Sequence, residues 1–119
     1  EAGAVLARVA DTHGFTLFEY FQTDKAGHAQ SMDLALHCLD LFDELLRGVY
    51  ETIDLEQTIV LVTSDHGNME DLSIKTHTRN PVPLFAFGKR DGFNFEAIRA
   101  LEHLVPEICR FVGHSIADQ

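Results

Sequence analysis

Thr58-Ile59-Val60-Leu61-Val62-Thr63 runs without a break into Ser64-Asp65-His66-Gly67-Asn68. The first six residues are apolar or β-branched throughout, the pattern of a strand covered on both faces. The five that follow carry a carboxylate, an imidazole, an amide and a glycine at the strand's carboxyl end. In open α/β sheets, ligand sites gather beyond that end. Downstream, residues 65–80 form a polar stretch that closes on Val82–Phe87 (VPLFAF), a second apolar strand ended by Gly88. Upstream, Ala29–Tyr50 places Met32, Leu36, Leu39, Leu41, Phe42, Leu45, Leu46 and Val49 on one stripe. Asp33, Asp40, Asp43, Glu44 and Arg47 lie on the other face, which predicts a long amphipathic helix.

The remaining segments extend the alternation. Phe15–Gln22 (FTLFEYFQ) is aromatic-rich with Glu19 as its one charge, and it reads as a further strand. Thr23–His28 reads as a loop, with Gly27 in it. Residues 3–12 have helical spacing of apolar positions, and residues 95–104 and 106–112 predict two helical segments, with Pro106 in a first turn and Gly113 as a C-cap. Apolar strands alternating with amphipathic helices indicate an α/β layered fold around a largely parallel sheet. No internal domain boundary is visible, so residues 1–119 read as part of a single domain. Three strands make a small, open-edged sheet, and more strands are expected upstream in a longer protein, as is a precursor, because the chain starts Glu1-Ala2-Gly3 without Met.

Composition narrows the classes. Nine Lys and Arg against nineteen Asp and Glu give a formal charge of −10. Such a surface repels a nucleic-acid backbone, so no nucleic-acid partner is expected. No apolar run is long enough to cross a membrane, which predicts a cytoplasmic protein with no membrane partner. Cys38 and Cys109 are far apart, form no CxxC pair, and read as buried small hydrophobes.

Three clusters hold the ligand-type residues: Asp24-Lys25-Ala26-Gly27-His28, Ser64-Asp65-His66-Gly67-Asn68, and Thr76-His77-Thr78. A single Asp-His pair at a strand end is ordinarily a capping carboxylate beside a surface imidazole. Three such clusters, each at a strand edge, point instead to a shared site. Asp24, His28, Asp65 and His66 follow strands, whereas His77 precedes one. His77 reaches the same edge if strand 82–87 runs antiparallel to its neighbours. Carboxylate and imidazole together suit Zn, Mn or Fe better than Ca or Mg. Five ligands exceed one catalytic zinc, so two divalent ions, Mn or Zn, are expected to clamp a phosphoryl group. His13, His37, His103 and His114 stand in helical or solvent-facing contexts and read as structural. Asn68, Glu70 and Lys75 read equally as solvated loop residues or as supports of the site. Neither Ser64 nor Thr76 has the elbow or paired base of a nucleophile, so no catalytic residue is assigned within the chain.

Thr63-Ser64-Asp65-His66-Gly67-Asn68, with Thr76-His77-Thr78-Arg79-Asn80-Pro81-Val82-Pro83, closely resembles the C-terminal metal motifs of the alkaline phosphatase superfamily. The likeness is nearest to the cofactor-independent phosphoglycerate mutase and phosphopentomutase branch, whose upstream Asp-x-x-Gly-His motif Asp24–His28 resembles. The resemblance covers about residues 15–113. It implies a three-layer α/β/α sandwich with one antiparallel strand, Asp24, His28 and His77 on one metal, and Asp65 and His66 on the other. It also implies a phosphorylated small-molecule substrate and a phosphatase or phosphomutase activity. The nucleophilic Ser or Thr, a further Asp ligand and the substrate cap of that family match nothing in this chain. The nucleophile and the Asp are expected from the missing N-terminal portion, no sequence for the cap lies between Asp24 and Asp65, and this chain alone is expected to be inactive. The competing expectations are a non-catalytic, metal-stabilised binding module, and a sulfatase or phosphodiesterase of the same superfamily.

Overall fold

The structure is a computed structural model that describes residues 1–117, with side chains to residue 113. His114 therefore carries no side-chain description. In chain order the elements are α1 (Ala2–Ala10), α2 (Gln22–His28), α3 (Met32–Tyr50), β1 (Ile59–Thr63), β2 (Leu84–Gly88), short 3-10 turns at Phe95–Ala97 and Leu101–His103, and α4 (Leu104–Ala117).

The amphipathic stripe of residues 29–50 becomes α3. Its N-terminus is capped by Ser31, whose hydroxyl accepts the Leu34 N–H at 3.3 Å. At its other end α3 crosses α1 so closely that a Cβ added at Gly3 would lie 2.0 Å from the Leu45 carbonyl oxygen. Hydrogen in place of a side chain is what lets the two backbones touch. Ala7, Val49 and Ile53 are buried at this crossing, with Leu6, Ala10, Leu45, Leu55 and Val60 packed around them. A second apolar cluster, Ala26, Ala35 and Cys38, joins α2 to α3 and is flanked by Tyr20, Met69 and Leu72. The Tyr20 hydroxyl donates to the Cys38 carbonyl at 3.0 Å, and its ring stacks on Phe42.

Among the described residues, β1 and β2 are the two strands, and they pair antiparallel from Ile59↔Gly88 to Thr63↔Leu84. The antiparallel course that His77 required is therefore present. The largely parallel sheet is not: the described residues hold one antiparallel pair in an α/β arrangement. Residues 15–20 correct the expectation most clearly. They carry no strand assignment, and Phe15, Leu17, Phe18 and Phe21 remain exposed. A strand exists only with a neighbour to share its backbone hydrogen bonds, and among the described residues this segment joins no strand ladder.

The stretch read as a loop is helical instead. Residues 22–28 form α2, held by bonds such as Lys25 N–H to the Phe21 carbonyl. A left-handed Gln30 (φ 52°) turns the chain from α2 into α3, and its side-chain amide donates to the Leu72 carbonyl at 2.9 Å. Two smaller corrections lie near the C-terminus. Gly113 does not cap a helix but sits inside α4, and Cys109 is exposed rather than buried. Pro106 does fall in the first turn of α4, where its missing N–H costs nothing.

Candidate metal centre

Asp24 and His28 are four residues apart on α2, so they project from one face of the helix. Asp65 and His66 leave the carboxyl end of β1. Because Thr63 pairs with Leu84, the chain entering β2 starts from that same edge and brings His77 with it. Asp24, His28 and His77 come together there, with His66 beside them and Asp65 at the margin.

One atom lies at the centre of the group, Oδ1 of Asp24. His28 Nε2 is 3.5 Å from it, His77 Nε2 is 3.4 Å, and His66 Nε2 is 4.0 Å. One ligand atom each from Asp24, His28 and His77 lies within 4.8 Å of the other two. His66 stacks on His77 with ring centroids 3.6 Å apart and also lies 3.4 Å from Asp65 Oδ2. Asp65 is the outlying member, with 84% of its side chain exposed. Asp24, His28 and His77 thus form a three-donor set, with Asp65 and His66 as a pair beside it.

Hydrogen bonding fixes what these nitrogens offer. His28 Nδ1 lies 2.8 Å from the Lys75 carbonyl oxygen. A carbonyl only accepts, so Nδ1 carries the proton and a neutral ring presents a bare lone pair at Nε2. His66 repeats the arrangement more weakly, donating from Nδ1 to the Gly67 carbonyl at 3.3 Å. Bare Nε2 lone pairs on His28 and His66, 3.5 and 4.0 Å from the Asp24 carboxylate oxygen, make a place that attracts a cation. Protonating every Nε2 would crowd three imidazolium charges, two of them in rings stacked at 3.6 Å. A tetrahedral ion with bonds of ~2.0–2.1 Å separates its ligand atoms by ~3.3 Å, close to the two shortest gaps. The donor set therefore fits a divalent ion.

The supports around the centre are as specific as the donors. Asn68 is buried and donates its side-chain N–H to Asp24 Oδ1 at 2.7 Å, which fixes the carboxylate. Its own Oδ1 is buried without a partner among the described residues and lies against Gly27. A Cβ built on Gly27 would stand 1.5 Å from that oxygen, so the glycine of the Asp24–His28 cluster makes room for Asn68. A cavity of about 480 Å³ opens beside Asp65 and His66 and is also lined by Arg79, Asn80 and Arg99. The two arginines escape a reading by motif. Arg79 lies inside a motif chosen for its histidine, and Arg99 comes from a segment twenty residues later that carries no ligand pattern.

A 2,3-bisphosphoglycerate-independent phosphoglycerate mutase of Desulforudis audaxviator (strain MP104C) is 28% identical over 116 residues, covering 92% of this chain and 23% of that protein. The protein of the same name from Antithamnion sp. is 26% identical over 113 residues, 88% of this chain and 22% of its own. That from Acetivibrio thermocellus is 32% identical over 82 residues, 63% and 16% respectively. The chain thus spans less than a quarter of the length of these relatives. No solved structure matches it. The family model of the Metalloenzyme superfamily matches residues 3–116, nearly the whole of the sequence, and the chain belongs to that superfamily.

Proposed function

We propose that this chain provides most of a two-ion centre in an enzyme that acts on a phosphorylated small molecule, as a phosphomutase or a phosphoester hydrolase. The observation that carries the reading is the convergence of the His28 and His77 Nε2 atoms on Asp24 Oδ1 at 3.5 and 3.4 Å. Asp24, His28 and His77 would hold one divalent ion, and Asp65 and His66 would contribute to a second. Mn and Zn suit these donors best. A bound ion supplies Lewis acidity at the phosphoryl oxygens and lowers the pKa of a hydroxyl brought to it.

The chain's own residues do the orienting. The Lys75 carbonyl holds the His28 ring in the tautomer that leaves Nε2 free, and Asn68 holds Asp24. The 480 Å³ cavity beside His66 accommodates a small metabolite, and Arg79 and Arg99 in its wall favour an anionic one. The hydroxyl nucleophile, a further carboxylate ligand and the remaining layers of a three-layer sandwich would come from the other part of a protein as long as the relatives. Mutase action is the nearer of the two chemistries, because the relatives carry that name. A soluble, cytoplasmic setting is part of the same proposal, and among the described residues no helix is long and apolar enough to cross a membrane.

The experiment is an assay of the longer protein with Mn2+ or Zn2+ against a panel of phosphate monoesters and phosphosugar or phosphoglycerate isomers. Release or relocation of phosphate, abolished by His77→Ala, supports the proposal. Metal uptake with neither activity would favour a metal-stabilised binding module, and sulfate or diester cleavage would move the enzyme elsewhere in the alkaline phosphatase superfamily.

A further inference from the structure

Two segments carry the histidines of the centre's open side, residues 65–68 and 77–80, and one backbone bridge joins them. The Thr78 N–H donates to the Gly67 carbonyl at 2.9 Å in an isolated antiparallel pairing. A single bridge of this kind is weak. Yet it must hold His66, immediately before Gly67, and His77, immediately before Thr78, in ring-to-ring stacking at 3.6 Å.

Glu70 spans the same gap. Its Oε2 accepts the Asn68 backbone N–H at 2.6 Å, and its Oε1 accepts both the Thr78 hydroxyl and the Asn80 side-chain N–H, the latter at 3.0 Å. Thr78 Oγ1 in turn accepts the Asn80 backbone N–H at 3.3 Å. One carboxylate thus gathers donors from both segments without touching Asp24, His28 or His77 in any hydrogen bond among the described residues.

We propose that Glu70 is a positioning residue, a clamp that keeps segments 65–68 and 77–80 in register so that the His66 and His77 imidazoles meet Asp24 together. A carboxylate is the group this role needs. It presents acceptors on both oxygens, and charge strengthens each bond. An amide at the same place has one acceptor and turns its N–H2 toward a donor on the other side, so it closes half the clamp. The bonds from Thr78, and to a smaller degree from Asn80 and backbone N–H groups, hold the Glu70 carboxyl down at about 2, as a carboxylate gripped by donors should be. The consequence for metal affinity rests on the two-ion reading above; the clamp itself does not.

The test compares the 119-residue chain with Glu70→Ala and Glu70→Gln, first without metal. Amide exchange at Thr78 and the nuclear Overhauser contact between the His66 and His77 rings are measured, with Val49 in the α1–α3 crossing as the internal reference. Thr78 exchange should quicken about tenfold in Glu70→Ala, with the ring contact weakened, Glu70→Gln intermediate and Val49 unchanged. Calorimetric titration with Mn2+ should then show affinity falling about 10–100-fold in Glu70→Ala. Unchanged Thr78 exchange and an intact ring contact would overturn the proposal, whatever the metal data. If the parent chain takes up no Mn2+ while Thr78 protection still falls, the clamp stands and the metal reading fails. If Glu70→Ala does not fold, Glu70→Gln is held to the same criteria.

Discussion

Gly27→Ala is a substitution whose sign separates this structure from ordinary helix chemistry. In an exposed helix interior, alanine in place of glycine stabilises by ~1 kcal/mol, because glycine loses more backbone freedom on folding. Gly27 lies within α2 and is buried, and a new Cβ would stand 1.5 Å from Asn68 Oδ1 and 2.4 Å from its Cγ. Asn68 is 5% exposed, so it yields in one of two ways. It stays and the site is overpacked, at ~1–3 kcal/mol. Alternatively it swings out and releases its 2.7 Å bond to the Asp24 carboxylate, a charge-assisted contact worth ~1.5 kcal/mol at this half-exposed site. After the helical gain of ~1 kcal/mol is subtracted, the net loss is about 0–2 kcal/mol. For a domain of this size that corresponds to a Tm between unchanged and roughly 15 °C lower. Urea and thermal unfolding of the metal-free chain measure it. In an Asn68→Ala background the obstruction is gone, and Gly27→Ala should then be neutral or stabilising. A Gly27→Ala protein more stable than the parent by the full propensity gain would refute the packing of Asn68 against α2.

Other expectations are open to equally direct checks. Gly3→Ala should destabilise by ~1–3 kcal/mol, and more than Gly48→Ala does, because its Cβ meets the Leu45 carbonyl at 2.0 Å whereas that of Gly48 comes no nearer than 3.2 Å to backbone; chemical denaturation of the two variants gives the order. Glu70 titrates near 2 against an ordinary 4.5, a lowered value, so its contribution is complete above about 4.5 and is lost as pH falls toward 2. The difference in Thr78 amide protection between the parent chain and Glu70→Gln should therefore shrink across that window and stay constant above it. A divalent ion at a hundredfold its dissociation constant should stabilise the chain by ~2.7 kcal/mol, and His77→Ala should remove most of that gain in a thermal scan.

Much of the candidate site's placement could be read from residue order, and the reason is topological. His77 precedes its strand while Asp65 and His66 follow theirs, so a shared site required β2 to return antiparallel along β1, as it does from Thr63↔Leu84 onward. The long stripe of α3 was equally plain, since nineteen helical residues give several turns of periodicity. The seven residues of α2 do not. They contain a glycine and no apolar repeat, and what holds them is tertiary: Asn68 against Gly27, and Gln30 bonded to Leu72. Residues 15–22 failed in the opposite sense. Their aromatic, β-favouring composition is real, but strand identity belongs to a pair of chains and not to one, and no described segment supplies the second. Gly113 met a statistical preference for helix ends that α4 does not obey. Arg79 and Arg99 became visible as partners only when the fold placed them on one cavity.

Anomalous X-ray scattering from crystals of the chain grown with Zn2+ or Mn2+, collected on both sides of the metal edge, bears most directly on the metal centre. The structure predicts a peak within bonding distance of Asp24 Oδ1, His28 Nε2 and His77 Nε2, with a second, weaker one beside Asp65 and His66. Metal-loaded crystals with no peak among Asp24, His28 and His77, or with the ion held by other residues, would contradict the assignment.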